Sequence, residues 1–167
     1  MRTEYKGCGI YYNQLGEGRE VILLHGWGYD SSLLMPLAQF LSAFCRVTLI
    51  DLPGHGQSDQ PIEPMDIYDF AGAVKCVMDE ADIKSASFIG HSNGGRTILA
   101  MSRDYGQCFE KLVLCDSAGI RPKRTLKYYI KVYWYKLIKN IMRLPIFTQE
   151  SRERFKKNRG SEDYSKL

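Results

Sequence analysis

An α/β fold with a mostly parallel sheet and flanking helices is the class that this 167-residue sequence predicts, and two observations predict it. Four short, nearly continuous apolar runs each end in a Gly-containing turn, the habit of strands buried on both faces of a parallel sheet. Segments of helical character lie between them, which sets the order β-α-β-α-β-α-β. At 44% hydrophobic residues, a chain of this length can bury one sizeable core.

Taken in order, "GIYYNQLGEGREV" opens with two extended pieces around "GEG" and predicts a hairpin arm. The first buried strand is "VILLHG" (21–26), followed by "DSSLLMPLAQFLSAF" (30–44), a helical segment with Asp30 and Ser31 as capping candidates. "RVTLIDLPG" (46–54) is the second strand. In "DIYDFAGAVKCVMDEAD" (66–82), Asp66 caps a helix that carries Ile67, Phe70, Val74 and Val77 on one stripe. "SASFIGHS" (85–92) is the third strand, "GGRTILAMSRDYG" (94–106) a helix stopped by Gly106, and "KLVLCDSAG" (111–119) the fourth strand. There is no internal repeat or low-complexity tract.

Charge divides the chain. Residues 1–120 hold 9 Lys/Arg against 15 Asp/Glu, a net of −6, whereas residues 121–167 hold 14 against 4, a net of +10. Two segments are therefore expected, 1–120 as the core and 121–167 as a basic amphipathic piece. The five cysteines (Cys8, Cys45, Cys76, Cys108, Cys115) are odd in number, widely spaced and without a C-x-x-C pair. That argues against a disulfide framework or a zinc site and suits a reducing cytosol. No apolar stretch has the length of a signal peptide's core or a membrane span, so a cytoplasmic protein is expected, with no cofactor and no metal.

"FIGHSNGGRT" (88–97) fits two motifs. As a phosphate loop it lacks the lysine that reaches the β- and γ-phosphates, because Arg96 stands there. As G-x-S-x-G it places Gly90, Gly94 and Gly95 where a strained strand-to-helix turn leaves no room for bulk, and Ser92 at the N-terminus of a helix, where developing negative charge is favoured. "LLHGWGYD" sets His25-Gly26-Trp27-Gly28 directly after the first buried strand, where acyl transfer needs a second N–H donor.

With "DLPGHGQSD" (51–59), these motifs strongly resemble the α/β-hydrolase family over about residues 8–120. The resemblance implies a serine nucleophile elbow at Ser92 and an oxyanion hole made by the backbone N–H groups of Trp27 and Asn93. It implies hydrolysis of an ester-like or related bond through an acyl-enzyme, on a small-molecule substrate of apolar acyl or ester character. His25 and His55 are expected to be structural, and His91 to point away from the reacting face.

The resemblance also implies that "RPKRTLKYYIKVYWYKLIKNIMRLP" begins a helical lid. Apolar residues at 126, 130, 133, 137, 141 and 144 keep a helical period, Lys127, Lys131 and Lys139 lie off the stripe, and Pro145 ends it. The lid ranks ahead of a membrane-surface helix and a solvated basic face, and nucleic acid is not an expected partner. In this family the acid and the histidine of the triad follow the lid, yet no histidine follows His91. Asp116 ends its strand, with no histidine to orient. The expectation is the N-terminal portion of a longer enzyme, a truncated core short of roughly 60 to 80 residues at ~30 per strand-helix unit. Such a chain should be inactive or very weakly active alone, and its uncovered sheet edge offers a route to self-association. The alternative is a non-catalytic module that binds a small molecule or a lipid surface.

Overall fold

The computed structural model describes residues 1–120 and 125–141. The chain divides into two units between Ile120 and Arg121. The first contains a six-stranded sheet in the order β1-β2-β4-β3-β5-β6, built from β1 (Arg2–Tyr5), β2 (Cys8–Leu15), β3 (Glu20–Leu24), β4 (Arg46–Ile50), β5 (Ala86–His91) and β6 (Phe109–Cys115). From β4 to β6 all neighbours are parallel, with Ile22 opposite Thr48 on one side and Phe88 on the other.

The apolar runs are continuous because both faces are covered. Ile22 and Leu24 pack into one core, with Ile50, Phe88, Ile98 and Met101, beneath α2 (Ile67–Glu80) and α3 (Asn93–Asp104). Leu23 faces the opposite way, into a smaller core with Val47, Leu49 and Ala38 of α1 (Met35–Leu41). A strand whose side chains alternate between two apolar layers reads as one unbroken apolar stretch.

Two expectations are corrected in detail. The pieces on either side of "GEG" do not form a hairpin with each other: β2 pairs antiparallel with β4, and the hairpin is β1 with β2 across Lys6-Gly7. The segment 30–44 is not one helix, because Pro36 restarts it; Asp30 caps a 3₁₀ turn, Ser31–Leu34, and α1 follows with the proline in its first turn. In α2 the Asp66 carboxylate accepts from the N–H groups of Tyr68 (2.7 Å) and Asp69 (3.0 Å), while Asp69 accepts from Asp66 N–H at 3.0 Å. Phe70, Val74 and Val77 of the expected stripe are buried.

The second unit, described by itself, contains α4 (Leu126–Ile141). Tyr128 and Tyr129 meet edge to face at 5.7 Å, and the Lys136 ammonium lies 5.9 Å from the Tyr133 ring centre. Leu144 of the expected stripe, and Pro145 expected to end it, lie outside the described residues. Among the described residues no helix is long and apolar enough to cross a membrane.

Candidate functional site

The candidate site forms where β5 runs into α3. Ser92 joins them with φ 50° and ψ −109°, a combination outside the small left-handed well that non-glycine residues can occupy. Such a conformation costs of order 1–3 kcal/mol and persists only when its surroundings over-determine it. They do so here. Ser92 N–H donates to Cys115 O at 3.0 Å, and Ser92 C=O accepts from Arg96 N–H (3.1 Å) and Ala118 N–H (3.0 Å). The neighbouring glycines leave no space for a side chain. A Cβ on Gly94 would meet the Leu24 carbonyl and lie 2.7 Å from His25 O, and one on Gly90 would lie 2.6 Å from Gly95 N. Asn93 is buried, and the side-chain nitrogen it carries has no partner among the described residues.

The turn after β3 reaches the same place. A Cβ on Gly26 would lie 3.3 Å from Ser92 Cβ and 2.9 Å from His91 Nδ1. Trp27, the next residue, has an exposed ring set edge-on to His55 at 5.0 Å. Thus Ser92 and Asn93 stand together at the start of α3, and the Gly26–Trp27 turn lies beside them.

His25 is fully buried, and its Nε2 accepts from Leu52 N–H at 3.0 Å. Its proton therefore sits on Nδ1, which donates to Gly26 O at 2.8 Å. Burial pushes its pKa below the ordinary value, against the opposing pull of the Gly26 carbonyl. With both nitrogens engaged, the ring links the β3 turn to the loop after β4. His55 donates from Nδ1 to Pro53 O at 2.9 Å. His91 has a buried Nδ1 without a partner among the described residues. It lines a cavity of about 350 Å³ with Tyr29, Leu33, Leu34, Leu37, Ile89 and Cys115. Among the described residues no histidine nitrogen hydrogen-bonds to Ser92 Oγ.

Sequence reasoning passed over Asp51. Its buried carboxylate accepts from Ser31 N–H (2.7 Å) and Gln57 N–H (2.8 Å), and its carbonyl accepts from Ser58 Oγ at 2.6 Å. One acid thus ties the segment after Trp27 to the "PGHGQS" loop. The signal was present, since an acid directly after an apolar run needs backbone donors if it is to be buried. All five cysteines are free, and among the described residues no group of three or more His, Cys, Asp or Glu is arranged to hold a metal.

A mixed sheet that is parallel from β4 onward, with a serine at a strained strand-to-helix turn and a glycine turn beside it, defines an α/β fold with a strained serine corner. The chain belongs to the α/β hydrolase fold family, whose sequence pattern it matches over residues 20–139. It is 34% identical over 137 residues to the 2-hydroxy-6-oxo-6-phenylhexa-2,4-dienoate hydrolase of Comamonas testosteroni, covering 74% of this chain and 48% of that one. It is 35% identical over 121 residues to a 2-hydroxy-6-oxononadienedioate/2-hydroxy-6-oxononatrienedioate hydrolase of a Pseudomonas species, covering 70% and 43%. An α/β hydrolase fold protein from Burkholderia ambifaria superimposes with a TM-score of 0.69 at 27% identity, over 87% of this chain and 53% of its own. The chain spans between about a third and a half of the length of the curated relatives it matches.

Proposed function

We propose that Ser92 is the nucleophile of a serine hydrolase and that the backbone N–H groups of Trp27 and Asn93 form its oxyanion hole. The observation that carries this reading is the Ser92 backbone, φ 50° and ψ −109° at the junction of β5 and α3. A strained residue held by its surroundings points to a role for its side chain. Ser92 Oγ bonds to the substrate carbonyl carbon while its proton passes to a base; the leaving group departs, and water then releases the acyl group. Negative charge on the former carbonyl oxygen meets N–H groups at the start of α3, where the helix dipole also favours it.

The proton goes to none of the three histidines in this reading. His25 has both nitrogens bound, His55 is tied to Pro53, and His91 Nδ1 has no hydrogen-bond partner, Ser92 included, among the described residues. The substrate class is an apolar carbonyl compound, an acyl ester or a related species. Both named relatives act on compounds carrying a 6-oxo group, a carbonyl of the kind a serine attacks. The cytosol is the expected location, in keeping with five free cysteines.

Chemical rescue tests the assignment. Imidazole added to the chain supplies a free base, so p-nitrophenyl butyrate hydrolysis should rise above the reaction of imidazole alone, and Ser92→Ala should abolish the excess. General-base assistance contributes roughly 10²–10⁴-fold when the base is positioned, so a free base should recover a small part of that. An imidazole-dependent rate identical in wild type and Ser92→Ala would overturn the assignment.

A further inference from the structure

We infer that α4 docks on the surface of an anionic phospholipid membrane. The helix carries Lys127, Lys131, Lys136 and Lys139 and no acidic residue, within a segment, 121–167, whose net charge is +10. At 100° per residue, Leu126, Ile130, Tyr133, Trp134, Leu137 and Ile141 fall within one stripe about 100° wide. This stripe is exposed: Leu126 is 77% accessible, Ile130 62%, Tyr133 68% and Trp134 60%. Lys127 and Lys131 border it on one side and Lys136 on the other, all three exposed.

An apolar stripe flanked by cations, with tryptophan and tyrosine in it, matches the layering of a membrane interface. Acyl chains take the stripe, the aromatic rings sit at headgroup level, and the lysine stems reach out to lipid phosphate. Four lysines among its described residues keep α4 out of the hydrocarbon core of a bilayer, where a charged side chain is costly. The helix therefore lies in the interface plane. This occupant is favoured over nucleic acid because the exposed stripe gives a phosphate backbone nothing to bind, whereas lipid uses both stripe and charge. The inference stands on α4 alone and does not depend on the role given to Ser92.

The test is binding to vesicles of phosphatidylglycerol and phosphatidylcholine, against vesicles of pure phosphatidylcholine, read by co-sedimentation and by tryptophan emission in a Trp27→Phe background that isolates Trp134. Binding to the anionic vesicles with a blue shift of Trp134 is expected at low salt and should weaken as salt rises. Lys127→Gln/Lys131→Gln/Lys136→Gln should lose on the order of a hundredfold in affinity, since each lysine near an anionic surface contributes about fivefold. Leu137→Ser should lose binding while keeping its helical circular dichroism and its oligomeric state. Three results would overturn the proposal: no binding to anionic vesicles, binding to duplex DNA as tight as to vesicles with no blue shift, or a Leu137→Ser variant that changes oligomeric state and still binds.

Discussion

Ser92 keeps its strained backbone because bulk is excluded on both sides of it, and the glycines that exclude it set the first prediction. A methyl group at Gly94 would press on the carbonyls of Leu24 and His25, backbone groups of the central strand and its turn that cannot rotate away. Gly94→Ala should therefore destabilise by about 1–3 kcal/mol, seen as a lower urea midpoint with an unchanged m-value. A second prediction rests on His25. Burial lowers its folded pKa, so the unfolded chain takes up a proton that the folded chain refuses. Its contribution to stability is full above the unfolded value of about 6.5 and is lost as the pH falls from there through the lowered folded value. Urea midpoints measured from pH 7.5 down to 5 should fall more steeply for wild type than for His25→Gln; parallel curves would contradict this. The structural role of His25 was legible because a histidine between a buried strand and a glycine turn has backbone groups on both sides. For Asp51 the sequence shows that a buried acid needs backbone donors but not which ones, since Ser31 lies in a 3₁₀ turn twenty positions away that only the fold brings to the carboxylate.

At the scale of elements, local signals were legible and long-range pairing was not. The strands from β3 to β6 and the N-terminal cap of α2 follow from short stretches, since apolar runs and a capping Asp act locally. The Asp66 capping box should be worth about 1 kcal/mol, so Asp66→Ala should lower the thermal midpoint by a few degrees. The partner of β2 could not be read from "GEG", because that turn fixes only how the chain leaves β2, while the pairing with β4 joins residues more than thirty positions apart. Among the described residues β6 is an edge strand, seven residues long, with Leu112 43% and Val113 49% exposed. The opposite edge, β1, is only four residues long and carries the Arg2–Asp59 ion pair. A short charged edge resists pairing, and a long apolar one invites it. Sedimentation velocity should show concentration-dependent association of the chain that Val113→Lys suppresses; a strictly monomeric wild type would contradict it.

The whole molecule joins a sheet unit of net charge −6 to a basic segment of net charge +10. Their assignments are independent: the sheet unit holds the serine corner, and α4 holds the lipid-facing stripe. The central claim is that Ser92 is a nucleophile set in a finished turn without a base among the three histidines. Hydrolysis of a p-nitrophenyl ester by the purified chain, by Ser92→Ala and by His25→Ala tests it most directly. A serine hydroxyl without a base is a weak nucleophile, and even intact serine proteases stripped of triad function keep only about 10³–10⁴-fold over water. The expected rate is at or below that residual, with no further loss in His25→Ala when the fold is kept. Enzyme-like turnover, roughly 1 to 10³ per second and abolished by Ser92→Ala, would contradict it by showing that a base operates within these residues.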